Sequence, residues 1–102
     1  MEGLTIKKID MANGVKFDLE GRITTTTTNK FEKTLEDALE LGYNTIILNM
    51  GKVTVMTSVG IRIILKTFKE TMKTGNSFQI EDPSEVVKSV LGLTNLAQMV
   101  VR

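Results

Sequence analysis

Apolar and polar residues alternate strictly through Val15, Phe17 and Leu19 against Lys16, Asp18 and Glu20, the period of a strand with one buried face. Leu4 to Met11 reads as a preceding strand, although Lys7 and Lys8 interrupt its alternation, and Asn13-Gly14 between the two is a favoured hairpin turn. The pattern then changes period. Phe31, Leu35, Ala38 and Leu39 recur at helical spacing, with Glu32, Lys33, Glu36, Asp37 and Glu40 on the other side and Gly42 as the stop. Asn29 and Glu32 suit the cap and the third-position carboxylate of that helix, placed after the β-branched run Thr24 to Thr28.

Thr45 to Met50 is nearly continuous apolar sequence, as expected of a strand covered on both faces at the centre of a parallel sheet. A loop is expected from Gly51 to Met56. A second helix follows, with Ile61, Ile64, Leu65, Phe68 and Met72 as its stripe, Arg62, Lys66, Lys69, Glu70 and Lys73 pointing elsewhere, and Gly75 closing it. Ser58 stands at its start and reads as an N-cap. Ser77 to Glu81 is a short strand, after which Asp82, Pro83 and Glu85 suit an N-cap, a first helical proline and a capping-box carboxylate. Val86, Val87, Val90 and Leu91 make the third stripe, Gly92 ends it, and Leu96, Met99 and Val100 suggest a final helical turn or two. Strands alternating with helices imply right-handed crossovers. The expected fold is α/β: a mostly parallel four-stranded sheet with an antiparallel N-terminal hairpin strand, packed with about four helices, as one domain over residues 1–102.

Composition narrows the chemistry. The 102 residues are 41% hydrophobic, enough for one compact core, and the net charge of +1 gives no overall field toward nucleic acid or an anionic membrane. No apolar run approaches the roughly 18 residues of a membrane span and the start does not resemble a secretory leader, so the expected compartment is the cytoplasm. With no histidine and no cysteine, the commonest general base, the commonest metal ligand and thiolate chemistry are all missing. Gly51-Lys52 lacks the rest of a phosphate-binding loop, and Ser58 has no base, because Ile61 stands where an S-x-x-K lysine would be. No catalytic residue, metal or cofactor is assigned. Five threonines in succession could hold an anion, although a loop and a helix cap account for them. Of the scattered methionines, Met56 is the candidate for a partner surface.

The stretch from Asn49 through Thr57-Ser58-Val59-Gly60-Ile61 resembles the signature of STAS domains, in which an apolar strand and a short loop lead to a serine-containing turn that opens a helix. Gly21, Asp82-Pro83-Ser84-Glu85-Val86 and Val90-Leu91-Gly92-Leu93-Thr94-Asn95-Leu96 extend the resemblance over nearly the whole chain. It implies an anti-sigma factor antagonist, a non-enzymatic binding protein, monomeric or weakly dimeric. The unphosphorylated form would bind an anti-sigma factor that is also a serine kinase and so release a sigma factor. It further implies that Ser58 is the phosphoacceptor and that Thr24, Met56, Thr57, Ser58, Val59, Gly60 and Arg62 form the partner-binding surface. Thr57 and Thr24 stand where the family often has aspartates, so hydroxyls replace carboxylates beside the serine. A scaffold or nucleotide-binding module of the same fold is the alternative.

Overall fold

The computed structural model describes residues 3–93 and 100–101. Strands β1 (Leu4–Met11) and β2 (Gly14–Ile23) are followed by helix α1 (Thr28–Leu41), β3 (Thr45–Met56), α2 (Ser58–Lys73), β4 (Ser77–Glu81), α3 (Glu85–Leu93) and the two-residue β5 (Val100–Val101). The sheet order is β1-β2-β3-β4-β5, antiparallel between β1 and β2 and parallel elsewhere. Val15, Phe17 and Leu19 of β2, Ile46, Leu48 and Met50 of β3, and Phe78 and Ile80 of β4 bury one sheet face in a single core with Phe31, Leu35, Ile63, Ile64, Val87 and Leu91 of the helices. Fully burying one such side chain is worth about 1.5–3 kcal/mol, so this face sets the register.

The opposite face carries half-buried Lys16, Asp18, Asn49 and Glu81. Lys16 Nζ lies 2.7 Å from Glu81 Oε2, which also accepts a hydrogen bond from Asn49 Nδ2 at 3.2 Å. The lysine beside it holds the Glu81 carboxyl below its ordinary 4.5, and the same contact raises Lys16 above 10.5.

Several expectations are corrected. Among the described residues the four expected strands are present, joined at the edge by the two-residue β5, and there are three helices rather than about four; Val100, expected in a last helical turn, pairs with Ile80 in β5, while Leu96 and Met99 lie outside the described residues. The hairpin loop is Ala12-Asn13, since Met11 pairs with Gly14. The expected loop from Gly51 to Met56 is strand: Lys52, Val53, Val55 and Met56 pair with Glu20, Gly21, Arg22 and Ile23. Two register shifts, between Asp18 and Glu20 and between Gly21 and Arg22, keep that pairing going past the interruption at Gly51-Lys52. Gly21 sits at the second shift with φ 119°, a conformation that a Cβ would strain, and its Cβ would also meet the Gly3 carbonyl.

The helices are rotated or capped differently from expectation. On α2 the buried stripe is Gly60, Ile63, Ile64, Thr67 and Thr71, and Met72 is exposed. Thr67 and Thr71 can enter the core because their hydroxyls donate to the Ile63 and Phe68 carbonyls at 2.9 and 2.8 Å. The cap of α1 is Thr27 rather than Asn29. Before α3, Ser84 takes the capping part expected of Asp82: its Oγ accepts from Val87 N–H and donates to the Val53 carbonyl at 2.6 Å. Asp82 instead adopts φ 50° in the turn out of β4.

Candidate functional site

The parallel strands β2 and β3 end together at the Ile23–Met56 pair, and one step beyond them come Thr24 and Thr57. Loops at the carboxyl ends of parallel strands are where such sheets present functional groups. Here the Thr57 N–H donates to the Ile23 carbonyl at 3.1 Å, which fixes the chain just before it turns into α2. The cap is therefore Thr57, with extended backbone (φ −91°, ψ 171°), and Ser58 is the first helical residue, contrary to the N-cap reading of Ser58.

That one-residue shift decides which groups are presented. Ser58 is exposed, Val59 is half-buried against the core, and Gly60 is buried. A Cβ on Gly60 would lie 2.8 Å from Ile23 Cγ2 and 3.2 Å from Met56 Cγ, so the absent side chain lets the first turn of α2 rest directly on the strand ends. Met56 is only 8% exposed and supports the turn from beneath, leaving little of itself for a partner. Arg62, one turn after Ser58, is exposed and forms no ion pair among the described residues.

Ile61 N–H reaches the Thr57 carbonyl at 3.3 Å, the first bond of the helix. The preceding amides of the turn receive no bond from the Thr57 side chain. Its Oγ1 is buried without a hydrogen-bond partner among the described residues. The first turn thus offers uncapped N–H groups and the positive end of the helix dipole next to an exposed serine hydroxyl, an arrangement that accommodates an anion.

The threonine run is occupied with its own backbone. Thr27 Oγ1 donates to the Arg22 carbonyl at 2.8 Å and accepts from Thr24 N–H at 2.9 Å, Thr28 Oγ1 donates to the Thr25 carbonyl at 3.3 Å, and the Thr24 and Thr26 hydroxyls lie 3.0 Å apart. These bonds build the turn into α1 rather than an open anion cradle. Of the residues expected at a partner surface, the structure gathers Thr24, Thr57, Ser58, Val59 and Arg62 at one edge, with the buried Gly60 and Met56 as its support. Sequence reasoning missed Ile23, whose carbonyl and Cγ2 hold the turn; its burial in the β2 alternation was the available sign.

Residues 5–102 match the STAS domain family. A Thermotoga maritima protein provisionally named an anti-sigma factor antagonist is 34% identical over 65 residues, 64% of this chain and 58% of that relative's own length. A crystal structure of a Thermotoga maritima protein of the same provisional name superposes with a TM-score of 0.85 at 27% identity, covering 93% of this chain and 82% of that one. The anti-sigma factor antagonist SpoIIAA, in its unphosphorylated form, gives a TM-score of 0.83 at 19% identity over 95% of this chain and 86% of its own, a likeness of fold. No helix among the described residues is long and apolar enough to cross a membrane. With its family signature seated on the turn from β3 into α2, this chain belongs to the STAS domain family.

Proposed function

We propose that this chain is an anti-sigma factor antagonist that binds an anti-sigma factor through the edge around Ser58 and is released when that serine is phosphorylated. The observation that carries the reading is the exposed Ser58 as first residue of α2, held over the buried Gly60. A relative that shares a third of its residues over the aligned segment and bears the antagonist name supports it. The assignment includes no catalysis by the chain itself and places the kinase activity in the partner.

The physics of the turn suits a switch. A phosphate on Ser58 would face uncapped amides and the helix dipole, worth about 0.3–1 kcal/mol at an exposed site, so the fold tolerates the modification. In a complex the same group adds about 1.5–2 negative charges to the buried contact. A charge left unpaired in an interface costs about 2–5 kcal/mol, which is roughly a 30-fold to several-thousand-fold loss of affinity. The test is to incubate the chain with its cognate serine kinase and ATP, map the modified residue by mass spectrometry, and measure complex formation by Ser58→Ala and Ser58→Asp. Modification at Ser58, with binding kept by Ser58→Ala and lost by Ser58→Asp, is the expected result. Tight binding by Ser58→Asp would remove the switch.

A further inference from the structure

Helix α2 carries Arg62, Lys66, Lys69 and Lys73 against the single acid Glu70, a net charge of +3 within a chain whose total is +1. The four cations follow Ser58 at spacings of four, four, three and four residues, which puts all of them on the exposed side of one helix. From Ser58 to Lys73 that side runs about 22 Å at 1.5 Å per residue. The cations are not equivalent. Lys66 is held between Glu32 and Glu36 of α1, at 3.6 and 3.7 Å, and Lys73 sits 3.5 Å from Glu70. Arg62 and Lys69 have no ion-pair partner among the described residues. Leu65, half-buried, is the apolar residue among those lining a depression of about 300 Å³, with Arg62, Lys66, Lys69, Glu70 and Lys73.

Resting on the antagonist reading, we infer that this basic edge of α2 is the docking and steering surface for the kinase, and that the kinase meets it with an acidic surface carrying an apolar side chain for Leu65. The edge is continuous with Ser58, so one partner can cover both. Its two unpaired cations lie in the open, where complementary charge raises association rates. Phosphorylation places about 1.5–2 negative charges one turn before Arg62 and nearly cancels the charge of Arg62 and Lys69 together. The modification therefore slows encounter as well as weakening the complex once formed.

The experiment measures association of the purified chain with its kinase by stopped flow, from about 20 mM to about 0.5 M salt, where screening shortens from roughly 20 Å to a few Å. Arg62→Glu combined with Lys69→Glu is compared with wild type and with Lys88→Glu on α3. Neither Arg62 nor Lys69 holds an ion pair among the described residues, and circular dichroism checks that the double variant is folded. The double variant is expected to associate at least about 10-fold more slowly at low salt and within about 2-fold of wild type at high salt, with Lys88→Glu near wild type throughout. An unchanged rate for the double variant, with a kinase that still phosphorylates wild-type Ser58, would overturn the inference and leave the antagonist reading standing. Failure of wild type to bind or be phosphorylated would remove both. Binding of wild type to duplex DNA or anionic vesicles as tightly as to the kinase, lost in the double variant, would also overturn it by assigning the edge to another class of partner.

Discussion

Thr57→Val removes the hydroxyl beside Ser58 and puts a methyl group of nearly the same shape in its place. The Thr57 backbone has the conformation of an N-cap, yet its Oγ1 is buried with no hydrogen-bond partner among the described residues and makes no capping bond. Two magnitudes with opposite signs therefore compete. If the hydroxyl capped the helix, its loss would cost about 0.5–2 kcal/mol. An unpaired buried hydroxyl instead carries a desolvation penalty of about 1–3 kcal/mol, which the methyl relieves. The geometry selects the second, so the variant is expected to gain about 1 kcal/mol, or a rise in Tm of roughly 4–8 °C for a domain of this size. Thermal unfolding followed by circular dichroism, with a urea titration to confirm an unchanged m value, reads the effect directly. A fall in Tm would refute the reasoning, because it would mean that the hydroxyl caps α2 in solution. A destabilising hydroxyl next to an exposed serine is what a site shaped for a partner rather than for stability would retain.

Gly60→Ala should destabilise the fold by about 1–2 kcal/mol in the same unfolding assay, because overpacking against Ile23 Cγ2 and Met56 outweighs the helix propensity gained. Adding Ile23→Leu, which takes away the branched Cγ2, should recover part of that loss, and equal stabilities for Gly60→Ala and wild type would show that the turn does not rest on the strand ends as described. The Lys16–Glu81 pair gives a pH dependence of definite sign. The depressed carboxyl contributes stability above its ordinary 4.5 that is lost as pH falls through its lower folded value, and the raised lysine contributes below 10.5 and loses it as pH rises past its folded value. Glu81→Gln should therefore cost up to about 1 kcal/mol near neutrality, and the deficit should shrink steadily as pH falls from 4.5 through the lower folded value, by urea unfolding at each pH; a deficit that stayed constant into strong acid would point to lost packing instead.

The elements that were legible in the sequence are those whose pattern is local. Strict alternation in β2, the stripe of α1 and its stop at Gly42 need no knowledge of a neighbour. The second half of β3 was hidden because Gly51-Lys52 breaks its alternation, and only pairing with the shifted register of β2 shows that the strand continues. Thr67 and Thr71 read as polar but are buried, since their hydroxyls turn back onto the helix itself. All three cap assignments fell one to two residues from the observed cap. Each helix start offers adjacent capping residues, and the choice among them is made by a contact distant in sequence: Ser84 Oγ to the Val53 carbonyl, Thr57 N–H to the Ile23 carbonyl, and, over a shorter span, Thr27 Oγ1 to the Arg22 carbonyl. Ser58 was visible as a helix start for the same reason that its exact rank within the turn was not.

The Ile23–Met56 pair that seats the turn joins residues about 30 positions apart, and no local structure can stand in for it. Non-local parallel pairing forms slowly, because the intervening chain must be ordered before the contact rewards it. The turn bearing Ser58 is consequently seated only when the ends of β2 and β3 are paired. A partner that read Ser58 at the head of α2, and not as an extended peptide, would therefore distinguish chains in which β2 and β3 are paired from chains in which they are not.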